Sequence, residues 1–173
     1  RNSLVHALNI RAIAHRVAKE MNRKIEDLNL VIAHLGGGIS IVPMKKGKII
    51  DANNANEMGP FSPERAGGRP VGDLAKLCFS GKYTHAQIKK LLKGEGGIVA
   101  YLGTNDARDV EKMIAEGDEK AKLIYEAMAY QVAKEIGSCA TVLKGNVDAI
   151  ILTGGIAYSE MITTWIKERV SFI

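Results

Sequence analysis

Three consecutive glycines between two apolar runs constrain what this chain can fold into more than any other feature. Residues 31–33 are apolar, His34 and Leu35 follow, and Gly36, Gly37 and Gly38 (the first glycine turn) precede a second β-type run. A continuous apolar run is typical of a strand buried on both faces, and glycine permits a tight turn without steric cost. Because successive backbone N–H groups can enclose an anion, the stretch predicts a hairpin that is either ligand-free or phosphate-binding.

A third β-type run at residues 48–52 follows a short Lys-Gly turn and completes a predicted β-meander. This order excludes two common glycine-rich nucleotide motifs. A dinucleotide-binding turn requires G-x-G-x-x-G at the start of a helix, and a P-loop requires Gly-Lys-Ser/Thr after its glycines. Any phosphate loop in this chain is therefore predicted to be a β-hairpin loop.

Composition limits the classes of partner. The 173 residues are enough for one domain with a sizeable core, and the net charge of +5 is spread over interleaved acidic and basic residues, unlike a nucleic-acid-binding arm. Cys78 and Cys139 lie in helical patterns far apart, which predicts buried thiols without a disulfide or a metal site. No signal peptide and no apolar run of about 20 residues is present. We expect a soluble, cytoplasmic domain that binds neither nucleic acid nor membrane.

Both ends of the sequence favour a fragment of a longer protein. The first residue is not methionine, and residues 170–173 follow a helical pattern and resemble the beginning of a strand.

Helical patterns dominate the remainder of the chain. Ser3 is predicted to cap a first helix, with His6 in its first turn, and Thr84 is predicted to cap another. The predicted helices span residues 3–21, 71–79, 84–92, 105–115, 118–144 and about 160–169, and Thr104 or Asn105 is the expected cap of the fourth. A strand is predicted at residues 147–152. A meander followed by alternating helices and strands predicts a ribonuclease-H-like α/β domain.

Two further segments are candidate ligand sites. Residues 53–72 have no periodicity, and Arg65 within them could lie in a solvated linker or bring its guanidinium to a phosphate or carboxylate. Gly154 and Gly155 (the second glycine turn) follow the predicted strand at 147–152. Ligands collect at such strand ends, although a Gly-Gly pair there could also serve helix–strand packing. The two glycine turns could flank one nucleotide.

Four motifs in order along the chain make a family resemblance specific: residues 33–40, 59–68, 101–108 and 152–159. The chain resembles the carboxyl-terminal part of the butyrate kinases, within the acetate kinase family of the actin, sugar-kinase and Hsp70 superfamily. The resemblance covers essentially all 173 residues and implies an actin-like ATPase domain that lacks its amino-terminal partner domain and its final strand and helix.

The resemblance implies reversible transfer of the ATP γ-phosphoryl group to butyrate, giving butanoyl phosphate and ADP with Mg²⁺. It implies phosphate binding by the first glycine turn, and catalytic roles for Arg65, which stabilises the transferring phosphoryl group, for His34 and for His6. It implies contacts with adenosine for Asp106 and Arg108 in one segment, and for Gly154, Gly155 and Ile156 in another. It also implies a small carboxylic acid as substrate and a homo-oligomer.

Differences between this sequence and the acetate kinases favour an acid substrate with a longer acyl chain than acetate. Gly37 stands where acetate kinases have Asn, and Arg65-Ala66-Gly67-Gly68 replaces Arg-Ser-Gly-Asp. The segment around His6 resembles butyrate kinases more closely. Branched-chain fatty-acid kinases, acetate or propionate kinases and a non-catalytic nucleotide-binding module are the alternatives. Because the family's amino-terminal phosphate hairpin and metal-side residues lie outside this sequence, the piece alone is expected to be inactive.

Overall fold

One mixed four-stranded sheet forms the centre of the molecule. The computed structural model describes residues 6–173. The strands are β1 (Asn29–Leu35), β2 (Ile39–Lys45), β3 (Lys48–Ile49) and β4 (Ala149–Thr153), in the spatial order β3-β2-β1-β4. The first three are antiparallel and confirm the predicted meander, whereas β4 runs parallel to β1. The carboxyl ends of β1 and β4 therefore lie side by side, and each is followed by a glycine turn.

Helices cover both faces of this sheet. Within residues 6–173 the α-helices are α1 (Ala7–Glu20), α2 (Val71–Cys78), α3 (His85–Leu92), α4 (Ile98–Leu102), α5 (Ala107–Ala115), α6 (Glu119–Val142) and α7 (Glu160–Val170). Short 3₁₀ helices occupy Ile25–Asp27 and Gly155–Tyr158. The Thr84 hydroxyl accepts from the Gln87 N–H and confirms the predicted cap of α3, while Asp118 and Ser159 cap α6 and α7.

The side chains of β1 alternate between the two faces of the sheet, which explains why there are two hydrophobic cores. Val31, Ala33 and Leu35 pack into a large cluster with α6 and α7, whereas Leu30 and Ile32 pack with the buried residues of α1 on the opposite face. Side chains of successive strand residues point to opposite faces, so a strand that is apolar at nearly every position must be covered twice. The prediction of a strand buried on both faces is confirmed.

β3 is shorter than predicted because proline interrupts its partner. The Ile50 N–H donates to the Pro43 carbonyl at 3.1 Å, but Pro43 has no N–H with which to return the bond. Beyond Ile50, the buried side chain of Asn53, and not the backbone of a strand, forms hydrogen bonds with the backbone of β2. Its Oδ1 accepts from the Ile41 N–H at 2.6 Å, and its Nδ2 donates to the Ile39 carbonyl at 3.0 Å.

Helix boundaries differ from prediction at two positions. His6 precedes α1 in a non-helical conformation, with φ −70° and ψ 53°, so its predicted place in the first turn is wrong, and Ser3 lies outside the described residues. The cap of α5 is Asp106 and neither Thr104 nor Asn105, because the Asp106 carboxylate accepts from the Arg108 N–H at 2.9 Å.

Two other predictions are wrong. No strand occurs at residues 171–173, since α7 continues to Val170 and a turn follows. Cys78 is exposed because α2 contributes no buried residue to either core, whereas Cys139 is buried as predicted.

Candidate active site

β1 brings the first glycine turn to the carboxyl edge of the sheet. The Gly36 N–H donates to the Gly38 carbonyl at 3.3 Å, and the buried Ser62 hydroxyl donates to the Gly37 carbonyl at 2.6 Å. Across residues 6–173, neither Gly37 nor Gly38 donates its N–H to a protein acceptor. Two of the three N–H groups are thus unpaired, and Gly37 is exposed, as expected of a turn that could hold an anion, while Gly38 is buried.

His6 and His34 stack against each other beside this turn. Their ring centroids are 4.0 Å apart and their planes differ by 24°. His6 Nδ1 is hydrogen-bonded to the buried Ser40 hydroxyl at 3.1 Å, and His34 Nδ1 donates to Asn9 Oδ1 at 3.3 Å. In each ring, Nδ1 is therefore held by a neutral polar side chain. His34 Nε2 faces the turn, 3.3 Å from the position that a Cβ on Gly36 would occupy.

The surroundings of this pair favour neutral imidazoles. Burial lowers the pKa of His6 below its ordinary 6.5, and the positive charge of Arg65 lowers it further. Burial also lowers the pKa of His34, with a smaller contribution from His6. Both effects penalise the charged form, so each ring carries one N–H donor at pH 7.

Arg65 lies directly against the first glycine turn. A Cβ placed on Gly38 would overlap the Arg65 guanidinium, so only glycine permits this approach without movement of the arginine. Arg65 Nη1 also donates to the Ala55 carbonyl at 3.1 Å. Of the two interpretations left open for Arg65, the structure supports a guanidinium brought to the turn.

The backbone around Arg65 is held from two sides. The Ala66 N–H donates to the Leu92 carbonyl at 2.9 Å at the end of α3, and the Ile98 N–H donates to the Ser62 carbonyl at 3.1 Å at the start of α4. A Cβ on Gly97 would overlap that Ser62 carbonyl, so a glycine with φ +64° lets α4 approach. Although residues 53–70 have little regular structure, they are firmly positioned.

The two glycine turns meet at the sheet edge. Gly154 has φ +93°, and a Cβ there would overlap the Leu35 backbone, one residue before the first turn begins. Gly155 is exposed and has no atom within 4 Å of its Cβ position, whereas Ile156 is buried in the larger core. The predicted adjacency of the two turns is confirmed, and Gly154 also serves close strand packing.

Asp106 and Arg108 pair with each other at the start of α5. Arg108 Nε donates to Asp106 Oδ1 at 3.0 Å, and the Arg108 side chain is exposed. Hydrogen bonds from the Arg108 side chain and backbone lower the pKa of Asp106 to about 2. The pair reaches the first glycine turn only indirectly, through the neighbouring Asn105, whose Nδ2 donates to Glu64 Oε1 at 2.6 Å.

Sequence reasoning missed several polar residues of this site, namely Asn9, Ser40, Ser62, Glu64 and Asn105. Each acts through a partner at least 25 positions away, and Glu64 also directly precedes Arg65. Its position before Arg65 was the signal that could have identified Glu64. The others lie in ordinary helical or strand patterns that give no such indication.

In the described part of the chain, no three His, Cys, Asp or Glu side chains are grouped closely enough to hold a metal ion. The same residues contain no helix long and apolar enough to cross a membrane.

A family comparison identifies the chain. Residues 2–171 match the model of the acetokinase family. The chain belongs to the acetokinase family. It is 58% identical over 173 residues to the probable butyrate kinase 2 of Caldanaerobacter subterraneus subsp. tengcongensis and 57% identical over 174 residues to butyrate kinase 1 of Clostridium acetobutylicum. All of the chain aligns with each protein but covers 49% of its length, so it spans about half of these relatives.

A solved structure shows the same fold. The structure of a propionate kinase from Francisella tularensis subsp. tularensis SCHU S4 aligns with 97% of this chain, and the aligned part is 44% of the propionate kinase chain. The TM-score is 0.88 and the sequence identity is 27%. The predicted ribonuclease-H-like fold class is confirmed, because the acetokinase family has the actin-like ATPase fold. The sheet that carries the two glycine turns is therefore part of the acetokinase fold.

Proposed function

We propose that the protein carrying this chain is an ATP-dependent carboxylate kinase that phosphorylates butyrate, reversibly giving butanoyl phosphate and ADP. The observation that supports this proposal best is the Arg65 guanidinium packed against a glycine turn with free N–H groups. Two relatives at 57–58% identity are named butyrate kinases, which supports butyrate as the acceptor.

The proposed reaction needs stabilisation of charge and no base. A carboxylate oxygen of the acid forms a bond to the γ-phosphorus, while the bond to the β–γ bridging oxygen breaks and ADP leaves with the electron pair. The acid is already ionised at neutral pH, so no proton has to be removed. Charge on the phosphoryl group in transit spreads over its equatorial oxygens, and fixed donors aimed there supply most of the rate enhancement.

Each residue of the site receives a role in this proposal. Arg65 stabilises the transferring phosphoryl group, and His6 contributes a neutral N–H donor. The proton of neutral His34 is on Nδ1 in its bond to Asn9, so His34 Nε2 can donate only after protonation, which the negative charge of bound phosphates favours. Gly36, Gly37 and Gly38 hold the phosphates through the backbone. Contacts with adenosine are assigned to Asp106, Arg108, Gly154, Gly155 and Ile156, and the juxtaposition of the second glycine turn with Leu35 supports this assignment.

The residues present fit a nucleotide better than a metal ion. Gly38 lets the Arg65 guanidinium pack directly against a turn whose Gly37 and Gly38 N–H groups have no acceptor among the described residues, whereas the same residues offer no three-ligand metal cluster. Mg²⁺ is therefore proposed to enter with the phosphates of ATP, where it neutralises their charge.

We further propose that the chain forms a carboxyl-terminal actin-like domain and that the enzyme is a homo-oligomer. The coverage of 49% of each relative supports the domain assignment, and the oligomer rests on the family resemblance.

A shorter acid is the second candidate substrate, because the matched solved structure is a propionate kinase. An acyl-hydroxamate assay of the full-length protein with straight-chain acids of two to five carbons separates the candidates. We expect kcat/KM to be highest for the four-carbon acid. A wide preference for acetate contradicts butyrate as the substrate, and absence of hydroxamate with every acid leaves a non-catalytic nucleotide-binding module.

A further inference from the structure

The Glu64 carboxylate lies over the turn to which phosphates are assigned. Its Oε2 is 3.6 Å from the position that a Cβ on Gly37 would occupy. Its Oε1 accepts from Asn105 Nδ2 at 2.6 Å. One carboxylate oxygen is thus held by an amide, while the other is directed to the turn.

In the described part of the chain, the Glu64 carboxylate has no ion-pair partner. The neighbouring Arg65 directs its guanidinium to Gly38 and the Ala55 carbonyl instead. A polyanion on this turn would therefore meet an uncompensated carboxylate, and like charges at such short distance repel each other.

The carboxylate cannot simply be treated as a mobile surface group. Asn105 precedes the cap of α5, and the Glu64 carbonyl accepts from the Gly94 N–H at 2.7 Å, so both ends of the contact are attached to ordered elements. A divalent cation bound to the phosphates would offset this repulsion, and the Glu64 carboxylate is the kind of oxygen ligand that such a cation takes.

We propose that Glu64, positioned by Asn105, makes the site select nucleoside triphosphate that carries a divalent cation and reject the metal-free form. This inference rests on the proposed function, because it requires the phosphates of a nucleotide on the first glycine turn. It assigns a specificity-determining role to a residue that acts on the charge of the substrate and takes no part in the bond that forms or breaks.

Equilibrium binding tests the inference without turnover. The dissociation constant of ATP is measured calorimetrically on the full-length protein, once with excess MgCl₂ and once with EDTA, for the wild type and Glu64→Gln. Glutamine keeps the size and the contact with Asn105 but removes the charge. We expect the ratio of the metal-free to the Mg²⁺-bound dissociation constant to fall at least fivefold, mainly through tighter binding of metal-free ATP.

Two variants complete the design. Glu168→Gln removes one negative charge from an exposed position on α7 and is expected to leave the ratio within twofold of the wild type. Asn105→Ala frees the carboxylate and is expected to lower the ratio in the same direction, which keeps the inference testable if Glu64→Gln fails to fold.

The outcomes separate this inference from the proposed function. If the wild type binds Mg²⁺-ATP and both Glu64→Gln and Asn105→Ala keep its ratio, selection by Glu64 is refuted while the kinase assignment stands. If the wild type binds ATP in neither condition, the proposed function fails, and this inference fails with it.

Discussion

Arg65 supplies fixed positive charge at the first glycine turn, whereas the two imidazoles beside it are neutral. A half-buried imidazole stacked on another imidazole and close to a guanidinium resists protonation, because burial and neighbouring positive charge both penalise the charged form. With its one proton on Nδ1 in the bond to Asn9, a neutral His34 presents a lone pair at Nε2, so it donates to a phosphate only when the negative charge of that phosphate favours protonation of the ring. The arginine is therefore the residue whose loss should affect the reaction most.

The lowered pKa values of His6 and His34 predict acid sensitivity of the fold. Since each folded-state pKa lies below 6.5, the unfolded chain binds protons first as the pH falls below 6.5, and stability is lost from there through the folded-state values. We expect the free energy of unfolding, measured by urea denaturation, to fall between about pH 7.5 and pH 5.5, and to fall less in His34→Gln.

His15→Gln is the matched control, because His15 is an exposed residue of α1. If His34→Gln and His15→Gln show the same pH dependence as the wild type, burial of the histidine pair does not limit stability in acid.

The contact between the glycine turns joins two structural elements through their backbones. Leu35 ends β1, and Gly154 follows β4 with φ +93° and no room for a side chain against the Leu35 carbonyl. This approach brings the segment assigned to adenosine next to the segment assigned to phosphates. A glycine that only ended a strand would not require such proximity.

Gly154→Ala is expected to destabilise the protein by about 2 kcal/mol or more, because both the backbone conformation and the adjacent carbonyl oppose a Cβ. Gly137→Ala is the matched control within α6, where no atom lies within 4 Å of the Cβ position. It is expected to raise stability by up to about 1 kcal/mol through helix propensity. Urea denaturation at pH 7 measures both values, and equal effects of the two substitutions would contradict the packing role of Gly154.

Local chemistry explains which elements could be predicted from the sequence. The apolar run of β1, the Thr84 cap and the long pattern of α6 are determined by neighbouring residues, and all three were predicted correctly. The early end of β3 depends on Pro43 in another strand, and α4 depends on Gly97 packing against Ser62. Such features require knowledge of tertiary contacts.

The candidate site also combines features that could be predicted from the sequence with tertiary contacts that could not. Residue types and motif order selected the histidines, the glycine turns and Arg65 as candidates, and the structure brings these residues together. The stack of His6 on His34, the Ser62 bond to Gly37 and the Glu64–Asn105 contact could not be predicted, because they join segments 25 to 41 positions apart.

The central claim is that Arg65 acts on the phosphoryl group in transit and contributes little to ATP affinity. Its most direct test compares kcat for butyrate with the dissociation constant of Mg²⁺-ATP in the full-length protein carrying Arg65→Ala. Arg69→Ala serves as the control, because Arg69 is exposed in the same loop. We predict that Arg65→Ala lowers kcat about 10³-fold or more, as loss of a phosphoryl-stabilising arginine does, and weakens ATP binding less than about tenfold. A kcat equal to that of the wild type, or a loss carried entirely by ATP affinity, would contradict the claim.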